Sequence, residues 1–193
     1  MAPIILATRN RHKLVEVRRL LGEDGVLALP ESVELGPEVG ETFAENALAK
    51  ARAAAAATAG VAIADDSGIC AAALGGAPGV RSARFAGEGA SDEQNLALLL
   101  ELVPAASALT YVCAIAYVDP AAGVERVFEA HCEGRMAPGP LGSGGFGYDP
   151  VFIPDGGDGR TMAQLDAAQK DALSHRGAAL RALAAWLAQA QPR

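Results

Sequence analysis

Ile4-Ile5-Leu6-Ala7 runs directly into Thr8-Arg9-Asn10-Arg11-His12-Lys13, after which Leu14, Val17 and Leu21 fall on one side of a helical pattern. A short continuous apolar run is the mark of a strand buried on both faces, and a strand handing over to a helix opens an α/β unit. Thr42 and Glu45 then have the spacing of a capping box, and the chain passes through alanines to a helix stop at Gly60. Val61-Ala62-Ile63-Ala64 reads as a second buried strand, parallel to the first because a helical crossover precedes it. Ser91 and Gln94 cap a third helix through Leu102, and the stretches 109–118 and 124–132, separated by a turn at Asp119-Pro120 and Gly123, read as a strand pair. The segment 139–147 reads as a loop, Val151-Phe152-Ile153 as a short strand, and 174–190 as a closing helix capped by Ser174. The sum is an α/β protein with a mixed sheet, residues 1–193 forming one domain.

Composition narrows the function. The chain of 193 residues is 51% apolar, enough to bury a core without staples, and carries 16 Lys+Arg against 23 Asp+Glu for a net charge of -7. That balance argues against nucleic acid as a partner, since broad attraction to a phosphate backbone needs a basic surface; an anionic ligand must meet a local positive pocket. The stretch 53–64, which lacks charge and strong polarity, is broken by Thr58 and Gly60 and is too short to span a bilayer, so no membrane partner is expected. The apolar start at residues 3–7 has no basic residue before it and gives no secretory signal, which points to the cytoplasm. Cys70, Cys113 and Cys132 form no CxxC pair and read as reduced, buried thiols.

Two segments carry the first candidate chemistry. Thr8 to Lys13 sits where a buried strand meets a helix N-terminus, whose free N–H groups and dipole favour an anion; Asn10 as a plain N-cap beside a solvated Lys13 is an equal alternative. Asp65-Asp66-Ser67-Gly68 follows the second strand, at the carboxyl edge where open α/β sheets bind ligands. Adjacent carboxylates repel and are best tolerated with a divalent cation or a lysine between them, whereas a solvated Asp-Ser-Gly turn leaves the doubled Asp unexplained. With 13 arginines and only Lys13, Lys50 and Lys170 as lysines, the lysines stand out as places where a compact ammonium is needed. A 100° step puts Phe43, Asn46, Ala47 and Lys50 on one helix face. Glu38, just ahead of that helix, is either a metal ligand or an exposed loop residue, and Glu45 is accounted for by its capping box.

Gly142-Ser143-Gly144-Gly145-Phe146-Gly147 matches a dinucleotide fingerprint in letters only, since prolines precede it and an extended segment follows. It offers instead a flexible loop with Phe146, Tyr148 and Asp149, suited to stacking on a flat ring and accepting a hydrogen bond from it, or alternatively a turn whose aromatics plug the core. Ser174-His175-Arg176 opens the last helix four residues after Lys170, and cationic groups at a helix start, which its dipole disfavours, point to an acceptor.

Taken together, Thr8-x-Asn10-x-x-Lys13, Ala64-Asp65-Asp66-Ser67-Gly68, Leu74-Gly75-Gly76-Ala77-Pro78-Gly79, Phe146-Gly147-Tyr148-Asp149-Pro150 and Ser174-His175-Arg176 make the chain resemble the inosine triphosphate pyrophosphatase family, in its bacterial branch, from Ile4 to about Leu183. The resemblance implies a two-lobed fold around a long mixed sheet flanked by helices, an active-site cleft between the lobes, a homodimer, Mg²⁺ dependence, and hydrolysis of ITP, dITP and XTP to the monophosphate and pyrophosphate. It implies catalytic roles for Asp66 and Lys50, and metal binding by Glu38 and Asp66. It assigns the nucleoside triphosphate substrate to Thr8, Arg9, Asn10, Arg11, His12, Lys13, Ser67, Phe146, Gly147, Tyr148, Asp149, Lys170, His175 and Arg176. Arg9 and His12 stand where many relatives carry small residues, and Pro37-Glu38 stands where an acidic pair is common, leaving Glu38 as the candidate there. A related pyrophosphatase acting on pyrimidine nucleotides and a nucleotide sensor without turnover are the rival readings.

Overall fold

The computed structural model describes residues 3–190. Its strands are β1 (Ile4–Leu6), β2 (Val26–Ala28), β3 (Ala62–Ala71), β4 (Ala108–Asp119), β5 (Val124–Met136) and β6 (Phe152–Pro154). Its helices are α1 (Arg11–Leu21), α2 (Phe43–Thr58), α3 (Asp92–Leu102), α4 (Ala167–Leu173) and α5 (His175–Ala190). One six-stranded sheet runs in the order β2-β1-β3-β4-β5-β6. β1 pairs in parallel with both β2 and β3, with Leu6 beside Ala28 and Ile63, while β5 and β6 are antiparallel, so the sheet is mixed as expected.

Local chemistry explains the helix starts. Thr42 Oγ1 accepts from the Glu45 N–H and the Glu45 carboxylate accepts from the Thr42 N–H, closing the capping box that begins α2. Ser91 and Gln94 do the same for α3, and Ser174 Oγ accepts from the Gly177 N–H at the start of α5. α4 is a helix that the sequence reading lacks, begun by a capping box between Asp166 and Gln169.

The largest departure from expectation is β3. Its strand does not stop at Ala64 but continues through Asp65-Asp66-Ser67-Gly68 to Ala71, although Asp, Ser and Gly are poor strand formers. Burial on this segment overrides propensity: Asp65, Asp66, Gly68 and Ile69 are all buried. Gly68 is required there, because a Cβ would lie 2.4 Å from Ser82 Oγ and 2.5 Å from the Gly79 carbonyl oxygen. β5 likewise extends past Cys132 to Met136.

The described residues fall into two compact units. The first takes the chain through Asp66, then Cys113–Ala130, then the stretch from Ala178 onward; the second takes Ser67–Val112 and His131–Gly177. The first has a core of Leu6, Val17, Ile63, Ile115, Leu180 and Leu183, and the second one of Ile69, Leu99, Leu109, Tyr111, Phe152 and Met162. None of the three cysteines forms a disulfide, and Cys113 and Cys132 are buried while Cys70 is half-buried. No described helix is long and apolar enough to cross a membrane.

Candidate active site

In the first unit, successive side chains of β3 alternate in direction, and the two adjacent carboxylates are met by different lysines. Asp65 Oδ2 pairs with Lys13 Nζ at 3.0 Å, and Asp66 Oδ1 pairs with Lys50 Nζ at 3.2 Å. Lys50 also reaches Glu38 Oε1 at 2.5 Å, so one ammonium joins a helix, a strand and the loop before the helix. Asn46, one helical turn before Lys50, fixes the same group: its Nδ2 donates to Asp66 Oδ2 at 3.1 Å and its Oδ1 accepts from the Gly40 N–H at 2.8 Å. The helix face inferred from the sequence is thus the face that holds the carboxylates. A cavity of ≈ 330 Å³ lies beside it, lined by Pro37, Glu38, Val39, Gly40, Asn46 and Lys50 among others.

The electrostatics follow from burial and proximity. Burial pushes the Asp66 carboxyl above its ordinary range and the Glu38 charge adds to this, against the pull of Lys50, Lys13 and the Asn46 hydrogen bond. Burial alone would lower the Lys50 pKa, but Asp66, Asp65 and Glu38 together outweigh it and hold the ammonium above its usual value.

At the strand-to-helix handover, Asn10 is the N-cap of α1, accepting from the His12 and Lys13 N–H groups, while Thr8 Oγ1 accepts from the Asn10 N–H. Lys13 is not the solvated side chain of the plain-cap alternative, because it pairs with buried Asp65. Arg9 turns away, donating to the carbonyls of Leu29, Pro30, Glu31 and Val33. Arg11 and His12 are exposed in the first turn of α1.

The second unit gathers the other candidates. Asp149 Oδ2 accepts from Lys170 Nζ at 2.7 Å and from the Phe146 N–H at 3.0 Å, and Asp149 Oδ1 accepts from the Tyr111 hydroxyl at 3.2 Å. Lys170 Nζ and the Arg176 guanidinium lie 4.8 and 5.6 Å from the centroid of the Phe146 ring, and Arg176 Nη2 donates to Ser67 Oγ at 2.7 Å. His175 is buried and stacks on Tyr111 with ring centroids 4.5 Å apart. Phe146 is half-buried, whereas Tyr148 is a core residue whose hydroxyl donates to the Ser82 carbonyl at 2.7 Å.

The glycine-rich loop is anchored rather than free. The Gly144 N–H donates to the Ala163 carbonyl and the Gly147 N–H to Asp92 Oδ2. Gly145 has φ +68, and a Cβ there would fall 2.0 Å from Asp149 Oδ2, so this glycine lets the backbone close on the carboxylate. Sequence reasoning missed Tyr111, which in a continuous buried strand reads as core alone.

The sequence matches the Ham1 family over residues 4–186. It is 50% identical over 194 residues to the dITP/XTP pyrophosphatase of Mycolicibacterium paratuberculosis, covering 95% of this chain and 94% of that protein. It is 50% identical over 197 residues to the dITP/XTP pyrophosphatase of Frankia alni, covering 95% and 96%. The structure of a HAM1 protein from Coxiella burnetii matches with a TM-score of 0.87 at 39% identity, covering 98% of this chain and 100% of that one. The structure of the Staphylococcus aureus Ham1 protein matches with a TM-score of 0.85 at 38% identity, over 98% and 100%. With both residue clusters inside the matched span and the same fold in solved relatives, this chain belongs to the Ham1 family.

Proposed function

We propose that the protein is a nucleoside triphosphate pyrophosphohydrolase that converts ITP, dITP and XTP to the monophosphate and pyrophosphate, removing them from the nucleotide pool. The names of its relatives support the reaction. The observation that carries it in this chain is the placing of Lys50 against both Glu38 and Asp66, next to a cavity.

Asp66 orients the attacking water and takes its proton; the water oxygen bonds to the α-phosphorus, the bond to the bridging oxygen breaks, and pyrophosphate leaves. Lys50 neutralises charge that develops on the α-phosphoryl oxygens, and Lys13, Thr8, Asn10 and the α1 N-terminus hold the remaining phosphates. Two carboxylates converging on one cation fit Mg²⁺, which takes hard oxygen donors; among the described residues no three His, Cys, Asp or Glu side chains gather into a fuller cage. Glu38 and Asp66 would hold it, and when bound it supplies charge neutralisation on the phosphates.

Base selection falls to the second cluster. Phe146 offers a ring to stack on, and Lys170, His175 and Arg176 are donors for a 6-keto oxygen. Adenine presents a 6-amino donor instead, a mismatch of roughly 1–3 kcal/mol for each group left unsatisfied. The resemblance supports a homodimer. Hydrolysis of ITP in ¹⁸O-labelled water tests the reaction: the label is expected in the monophosphate, and label in pyrophosphate, or inorganic phosphate as the product, contradicts it.

A further inference from the structure

Tyr111, in the second unit's part of β4, is buried and touches two members of the base-recognition cluster at once. Its hydroxyl donates to Asp149 Oδ1 at 3.2 Å, and its ring lies against the His175 ring with planes 12° apart. Asp149 uses its other oxygen for Lys170 Nζ and the Phe146 N–H. The carboxylate therefore has donors on both sides: it sets Lys170 and the Phe146 backbone, and Tyr111 sets it. Packing alone asks only for a phenyl ring at this position, such as the Phe152 ring that Tyr111 adjoins at 4.3 Å. A buried hydroxyl is costly unless it finds an acceptor. Burial, the Asp149 charge and their hydrogen bond push the Tyr111 pKa well above its ordinary value, which keeps the proton on the phenol oxygen and the bond in its donating sense.

We propose that Tyr111 is a positioning residue for purine selection, fixing the Asp149 carboxylate, and through it Lys170 and Phe146, together with the plane of the His175 ring, without touching the nucleotide. The inference rests on the proposed function and adds a residue that acts through the others. Three donors aimed at one keto oxygen discriminate only if their directions are fixed, since a lysine on a loosened carboxylate can turn toward water instead. The phosphate chemistry belongs to Asp66 and Lys50 in the other unit, so losing the Tyr111 hydroxyl should affect base binding and spare the chemical step.

Tyr111→Phe keeps the ring stack and removes one donor. Its expected effect is a rise in KM for ITP of about tenfold with kcat within about twofold of the parent, and a reduced preference for ITP over ATP. Inosine monophosphate binding, followed by calorimetry, should weaken by about tenfold as well, and this readout does not depend on turnover. In an Asp149→Asn background the same substitution should add little, because its route of action is already cut. Parental KM, base preference and inosine monophosphate affinity in Tyr111→Phe would overturn the inference, as would effects that add independently of Asp149→Asn. Loss of a cooperative thermal transition in Tyr111→Phe would also overturn it, making the hydroxyl a folding group. A parent enzyme that binds inosine monophosphate but releases no pyrophosphate from ITP would instead count against the proposed function, leaving the calorimetric comparison to decide on Tyr111.

Discussion

Lys50 Nζ stands 3.2 Å from Asp66 Oδ1, tying the third turn of α2 to the middle of β3. The pair is nearly closed to solvent, with side-chain exposures of 11% and 7%, which strengthens the attraction between the two charges. Such a pair adds little net stability, but it holds two reactive groups in one geometry.

Asp66→Asn should lower kcat for ITP by at least about a hundredfold, the scale of a lost general base, while the fold persists. Burial already disfavours the Asp66 charge, but Lys50 and Asn46 donate to different oxygens of which the neutral isostere keeps one, so the variant is expected to fold and to melt a few degrees below the parent. Steady-state kinetics and a thermal melt check both parts, and near-parental kcat would remove Asp66 from the mechanism.

Lys50→Met leaves Glu38 and Asp66 facing each other without their shared ammonium. The loss should be about 2 kcal/mol, or about 4–8 °C in Tm for a chain of this size. Mg²⁺ should then raise the Tm of the variant more than that of the parent, because a divalent cation relieves the exposed repulsion. Melts with Mg²⁺ and with EDTA measure the difference; an equal shift in both proteins argues against Glu38 and Asp66 as the ligands.

Gly68→Ala tests the extended strand. The added methyl meets Ser82 Oγ and the Gly79 carbonyl at 2.4 and 2.5 Å, and the carbonyl is backbone that cannot rotate away. A loss of about 2 kcal/mol or more is expected by thermal or denaturant unfolding.

The Cys132 thiol should resist alkylation near neutral pH. Burial, with the nearby Glu133 and Asp155 charges, pushes its pKa up to about 11, which leaves about 0.1% thiolate at pH 8. Its rate with iodoacetamide, read by peptide mass, should climb nearly tenfold per pH unit up to about pH 11, whereas in denaturant it should level off near pH 9.

Much of this was legible in the sequence wherever one local rule acted alone. Thr42 with Glu45 and Ser91 with Gln94 mark helix starts through side-chain to backbone bonds made within four residues, and the 3.6-residue period put Asn46 and Lys50 on the face they occupy. The strand through Asp65 to Ala71 was not legible, because its residues disfavour strands and its burial comes from segments distant in sequence. The partners of Arg9 and the Tyr111–Asp149 bond lie 20 to 38 residues away, beyond what spacing can reveal. The glycine-rich loop reads as flexible by composition, yet Gly145 is there for a close approach to Asp149 rather than for motion.

In the proposed reaction one set of groups cleaves the triphosphate and a separate set selects the base. Pyrophosphate release from ITP, XTP, dATP, GTP and dTTP, each with Mg²⁺ and with EDTA, tests this division. Strong, EDTA-sensitive release from ITP and XTP with little from dATP and dTTP is the predicted result; equal cleavage of all five, or none of any, would contradict it.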